Sequence, residues 1–411
     1  MDFSASILRL SPGAENILAD EEEEDGCLWL ARGFFWLFGQ TAEAQNQAGR
    51  ALQMAAEHPG GPRSESWFTA LQLWHAKDFD RSASAFEEIT TRWPDDLLAA
   101  KAAEFLYYVL GQQHSGPRFL QHLNRLGPVH GGDPDFLSME AFARELCGDM
   151  SGARRSAEAA LGIESRLPWA QHALEHVLLW EGNSEEALHL LAGWVADWEA
   201  SARPIHSHNA WHYAVALLDR QDNEKAMEVF DRHVWMKTPD LVVEQLDSIS
   251  FLWRAEMAGV PVGEPRWKAL AGLINPREVF MPFASAHYAY AAGRAGCREV
   301  LEELLERTTQ RARDTDAEAV RVWSGPGLDV VRASAALGCG DAAAAARFFD
   351  PAALRLTEIG GSDAQDDLFR FAHIHSLRLA RRRSDALQLL RARLCRKTPS
   401  PMEADWLAGL S

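Results

Sequence analysis

An all-α chain of stacked helical hairpins is the fold this sequence predicts, and three observations predict it. A short polar turn followed by an Ala-centred amphipathic stretch recurs along the chain, several recurrences lie 34–41 residues apart, and the period-2 alternation of a half-buried strand is nearly absent. At 411 residues the chain exceeds what one compact core usually supports, which favours a quasi-one-dimensional array. We expect residues 1–25 to form a partly flexible segment and 26–411 a single array of hairpins coiled into a superhelix.

Taken in order, the clearest unit is KDFDRSASAFEEITTRWPDD, Lys77 to Asp96. The same frame returns in GDMSGARRSAEAAL from Gly148, GNSEEALHLL from Gly182, QDNEKAMEVF from Gln221, GDAAAAARFF from Gly340 and RRSDALQLLRARL from Arg382. Each carries a small residue just after the turn: Ser82, Ala153, Ala187, Ala226, Ala345 and Ala386. A small residue there lets the second helix of a hairpin approach the first. Four places on, Phe86, Leu191, Phe230, Phe349 or Leu390 fills the space beside it; only the unit at Gly148 differs, with Ala157. Gly and Pro fall between helices at Pro59–Pro62, Gly131-Gly132, Pro261–Pro265 and Gly360-Gly361. After the last pair, Ser362 or Asp363 reads as the N-cap of a further helix with an acidic first turn. The units match the tetratricopeptide pattern, in which the first helix of each pair lines a concave inner face.

Composition narrows the function. The chain is 47% hydrophobic and 24% charged, as soluble domains are, and its formal net charge of −18 argues against nucleic acid, which needs a basic face. No apolar run is long enough to span a bilayer, and the acidic run Glu21–Glu24 reads as a solvated tail. Five cysteines form no CxxC pair; reduced thiols in the cytoplasm are the simplest reading.

Two histidine pairs stand out, His172/His176 in HALEH and His208/His212 in HNAWH. Spacing i, i+4 sends both rings of a pair from the same side of a helix. The stretch between them, Glu185 to about Glu199, reads as a full helix. The two histidine-bearing helices are then corresponding members of successive hairpins, and side by side they would bring four imidazoles to one place. Neutral imidazole is a ligand for zinc, copper, nickel and iron. Glu175, Asp231, Asp247 and His287 are candidates to orient such ligands from behind. Haem with histidine axial ligands is a second cofactor reading, with apolar walls supplied from among 15 tryptophans.

The segments HALEHVLLWEGNSEEAL, HNAWHYAVALLDR, LDSISFLWRAEMAGV, FASAHYAYAAGRAG and IGGSDAQDDLF, in that order, resemble the tetratricopeptide repeat protein 38 family. The resemblance covers the chain from about Trp29 onward. It implies an all-helical superhelix with histidine elements at His172/His176, His208/His212 and His287, and no settled activity. Glu175, Lys101 and the Asp363/Asp366 pair stand where the family looks to carry a small residue, a histidine and more basic residues. A groove-facing role for Asp363, Gln365 or Asp367 follows from the resemblance alone.

Two functions stay open on these residues. One is a binding protein whose histidine-rich concave pocket holds a small molecule, peptide or partner protein. The other is a metal- or haem-dependent enzyme acting on a small molecule at the quartet. HALEH fits the His-x-x-Glu-His string in which Glu175 would activate a metal-bound water. Histidines satisfied by backbone or carboxylates inside a helical stack are the plain alternative to both.

Overall fold

The computed structural model describes residues 3–18, 25–395 and 399–410; the Glu21–Glu24 run lies outside them. Among the described residues there is no strand. The chain divides into two compact units, Met1–Val177 with Gly193–His206, and Leu178–Ala192 with Ser207–Ser411.

The first unit begins with α1 (Phe3–Arg9), a 3-10 turn at Ala14–Leu18, α2 (Gly26–Phe38) and α3 (Ala42–Glu57). Antiparallel pairs follow: α4 (Pro62–His75) with α5 (Phe79–Arg92), α6 (Leu97–Val109) with α7 (Gln112–His130), and α8 (Pro134–Leu146) with α9 (Met150–Ile163). The division between units cuts α10 (Pro168–Trp180), α11 (Ser184–Glu199) and α12 (Arg203–Asp219). The second unit continues through α13 (Asn223–His233), α14 (Val242–Met257), α15 (Glu264–Ala271), α16 (Pro282–Arg294) and α17 (Arg298–Arg311). A π-helical stretch, Ala319–Gly327, leads into α18 (Leu328–Gly338) and α19 (Ala342–Ala352). A 3-10 turn at Ala353–Glu358 precedes α20 (Asp363–Leu379), α21 (Arg383–Leu394) and α22 (Pro401–Leu410). The helix expected from Glu185 to about Glu199 is α11.

The recurring turn has one backbone solution. Five residues before each small anchor the chain enters the left-handed region, at Lys77, Gly148, Gly182, Gln221, Gly340 and Arg381, with φ between 61° and 84°. The next amide bonds back to the carbonyl five residues earlier, as in Asp78 N to Leu73 O, Asp222 N to Leu217 O and Asp341 N to Ala336 O at 2.8–3.0 Å. This is the Schellman closure of a helix C-terminus. That same residue starts the second helix, because its carbonyl accepts from the anchor amide: Ser82 N to Asp78 O, Ala226 N to Asp222 O. One three-residue connection thus ends one helix and begins the next.

The anchors are packed as their size requires. Ser82, Ala153, Ala187, Ala226, Ala345 and Ala386 are fully buried. Ser82, the one polar member, donates its hydroxyl to Ala70 O across the hairpin at 2.8 Å, so its oxygen is satisfied. Phe86, Phe230, Phe349 and Leu390 are fully buried beside them, each contributing roughly 1.5–3 kcal/mol of apolar burial. The fold is therefore all-α and built of tetratricopeptide-like hairpins. The α16/α17 hairpin lies outside the sequence frame yet has the same closure, with Gly296 at φ 69° and Cys297 N bonded to Ala292 O, but Leu301 occupies the anchor position.

The start of α20 is set with care. Gly360 and Gly361 both have positive φ, and a Cβ on Gly361 would lie 2.6 Å from the Phe283 ring, so only glycine fits there. Ser362 then caps the helix in a capping box with Gln365, which settles the choice between Ser362 and Asp363.

Candidate functional site

The two histidine pairs belong to different units: His172, His176 and Glu175 to the first, His208, His212, Asp247 and His287 to the second. Each set is described within its own unit.

In the first unit, α10 carries His172 and His176 with ring centroids 4.6 Å apart, and Phe142 of α8 packs on both. His176 Nδ1 lies 3.7 Å from Glu145 Oε1 and its Nε2 lies 4.0 Å from Glu175 Oε2. All four polar residues are buried. Glu145 is a carboxylate that sequence reasoning missed. On the neighbouring α6, Lys101 is buried, ion-paired with Glu104 at 2.9 Å, and set 3.8 Å over the Trp169 ring. Lys101 is thus held by Glu104 inside the first unit.

In the second unit, α12 presents His208 and His212 with their Nε2 atoms 3.2 Å apart. Both carboxylate oxygens of Asp247, on α14, lie 3.3 Å from His208 Nδ1. Asp247 is fully buried and accepts a further bond from Gln365 Nε2 of α20 at 3.2 Å. The carboxylate holds the proton of His208 on Nδ1 and leaves the Nε2 lone pair facing His212. Gln365 does two jobs, since its Oε1 also accepts from the Ser362 amide at 3.2 Å in the capping box.

The spacing has a chemical meaning. Two nitrogens bound to one zinc at about 2.0–2.1 Å in tetrahedral geometry sit roughly 3.3–3.4 Å apart. The observed pair is at that separation, with a carboxylate behind one ring as in carboxylate–histidine–metal arrangements. Rings one helical turn apart on one side of α12 cannot take opposite faces of a haem, so this pair fits two neighbouring positions on a small ion.

Beside this pair lies a group of donors that the sequence analysis did not single out. Trp211 stacks on His208 at 5.5 Å and 9°. Ser250 and Arg254 follow Asp247 along the same face of α14, at i+3 and i+7. Arg254 Nη2 donates to Ala364 O at 2.7 Å, and its guanidinium carbon lies 5.8 Å from the Trp211 ring. Trp211 Nε1, Ser250 Oγ and Arg254 Nε are buried and have no partner among the described residues. Their signal in the sequence was the polar i, i+3, i+7 stripe in LDSISFLWRAEM, an otherwise apolar stretch.

His287 is placed differently. Its Nδ1 donates to Phe283 O at 2.9 Å, and its ring is enclosed by Phe283, Phe369 and Trp253. Burial, aided by the positive Arg254, lowers its pKa to about 4. Asp231 is no orienting group: it makes a two-pronged ion pair with Arg266, Nη1 at 2.7 Å and Nη2 at 2.9 Å, at the α13 surface. Asp367 pairs with Arg393, while Asp366 is fully buried with a pKa raised well above the ordinary value by burial. No helix among the described residues is long and apolar enough to cross a membrane.

No family model matches the chain. Among solved structures it is similar to a chain in "Structure of Naa15/Naa10 bound to HypK-THB", at 13% identity and a TM-score of 0.27, over 88% of this chain and 63% of that one. The chain thus spans less than two thirds of that protein's length.

Proposed function

We propose that this is a tetratricopeptide-like binding protein whose ligand is organised by a divalent transition metal at His208 and His212. The observation that carries the reading is the 3.2 Å separation of the two Nε2 atoms with Asp247 on the far side of His208. The hydrogen bond between the two Nε2 atoms can be replaced by an ion held between the same nitrogens, with the buried Asp247 carboxylate to balance charge. The divalent ion is preferred to haem on the same geometry. The resemblance to the tetratricopeptide repeat protein 38 family, and with it a cytoplasmic setting, belongs to this reading. So does assignment of His172 and His176 to the same ion, which rests on the repeat register of the sequence alone.

The test is metal content of the full chain purified without chelator, followed by titration with Zn(II) and Ni(II). One ion per chain is expected, with His208→Asn and His212→Asn each weakening it by at least ten-fold. Protein that carries no metal above background and takes up none on titration rejects the proposal.

The enzymatic alternative places Glu175 as general base. Its support is a buried carboxylate 4.0 Å from His176. It requires a metal-dependent hydrolytic activity that Glu175→Gln abolishes while metal content is retained.

A further inference from the structure

Three hydrogen-bond donor atoms on α12 and α14 have no partner among the described residues. Trp211 Nε1, Ser250 Oγ and Arg254 Nε are all buried, and none finds an acceptor among the described residues. Unpaired buried donors are costly and rare in native structures, and here three of one polarity lie along two facing helices. Arg254 is the most informative of them. The residue is 5% exposed and charged, yet its one direct bond runs to a neutral carbonyl, Ala364 O. Asp367, itself bonded to Arg393, and Asp219 favour this charge only through space.

The same first turn of α20 joins this arginine to the histidines. Ala364 O receives Arg254, and the next residue, Gln365, donates to Asp247 behind His208. Asp247 and Arg254 are seven residues apart on α14, about 10 Å along the helix. Cluster and histidine pair are therefore two ends of one polar strip inside an apolar layer.

We propose that the ligand of this unit is a small organic acid, one carboxylate of which pairs with Arg254 and accepts from Trp211 Nε1 and Ser250 Oγ. A second oxygen donor of the same molecule reaches the ion at His208 and His212. An Arg fork takes a carboxylate in two parallel bonds, and a carboxylate supplies the acceptors that all three donors need. The second contact rests on the metal reading given above; the first does not.

The test uses the full chain, with and without Zn(II), and two probes: glutarate, with a carboxylate at each end, and glutaramide, its uncharged counterpart. Glutarate is expected to raise the melting temperature of the wild type by several degrees and glutaramide to leave it unchanged. Arg254→Met, which removes a buried charge that no carboxylate bonds directly and so should fold, is expected to lose the glutarate response. Arg254→Lys keeps the charge without the fork and should bind at least ten-fold more weakly. It serves as the comparison if the Met variant does not fold. A glutarate response equal in wild type and both variants, or none in the wild type with or without zinc, overturns the proposal. An Arg254-dependent response in a chain that takes up no zinc supports the acid site while rejecting the metal. Zinc uptake without that response rejects the acid site alone.

Discussion

The side-chain amide of Gln365 donates to Asp247 Oδ1 at 3.2 Å, joining the first turn of α20 to the middle of α14 across 118 residues of sequence. Because the other end of that amide accepts from the Ser362 backbone, the helix cap and the orientation of Asp247 share one residue. Ser362→Ala should cost about 0.5–2 kcal/mol of stability through the lost cap. Gln365→Ala should cost a similar amount and also weaken metal binding by roughly 10–100-fold, since Asp247 loses its support. Urea midpoints and zinc titrations of the two variants separate the effects; equal metal affinity in both would show that Asp247 does not depend on Gln365.

Asp366 is fully buried in α20, and neither of its oxygens has a partner among the described residues. Its folded pKa is raised, so the unfolded chain ionises first as pH rises above the ordinary carboxyl value. Stability contributed by the neutral form is complete below that value and declines above it. Asp366→Asn, which cannot ionise, should therefore stabilise the protein at pH 7 by about 1–3 kcal/mol. The advantage should vanish near pH 3.5. Melting curves at the two pH values check both halves of the claim.

His287 titrates the other way. Its pKa falls to about 4 on folding, so the folded chain refuses a proton that the unfolded chain accepts. No stability is at stake above pH 6.5; between pH 6.5 and 4 about 3 kcal/mol should be lost to this one ring. His287→Gln should flatten that part of the stability–pH curve. A slope that survives the substitution assigns the acid sensitivity to other groups.

The hairpin turns permit a backbone test. Gly148 and Gly340 have positive φ and open space where a Cβ would go, so Gly→Ala there probes backbone strain alone. Each should destabilise by about 1 kcal/mol. Arg381, exposed and in the same conformation at φ 61°, should gain about 0.5–1 kcal/mol on replacement by Gly. Opposite signs at equivalent places are the signature; chemical denaturation resolves them.

Much of the fold was legible because its determinants are local. A left-handed turn residue, a cap, a small anchor and a large apolar residue four places on lie within ten positions, and Lys77–Phe86 shows all of them. The α16/α17 hairpin was missed where that frame was broken, with Leu301 in the anchor place, though its Gly296 turn is the same. Half of the site was legible for a similar reason, since i, i+4 spacing needs only the geometry of a helix. Asp231 misled because an acidic residue near the repeat anchor can as easily meet an arginine at the surface.

From the sequence by itself came the helical class, the hairpin frame, the two histidine pairs and the capped helix after Gly361. Tertiary structure alone decided which carboxylate stands behind His208, that Glu145 lies beside His176, and that Trp211 Nε1, Ser250 Oγ and Arg254 Nε are buried with no partner among the described residues. The reason is physical. Periodicity determines which side of a helix a residue leaves, but only packing of helices far apart in sequence determines what it meets there.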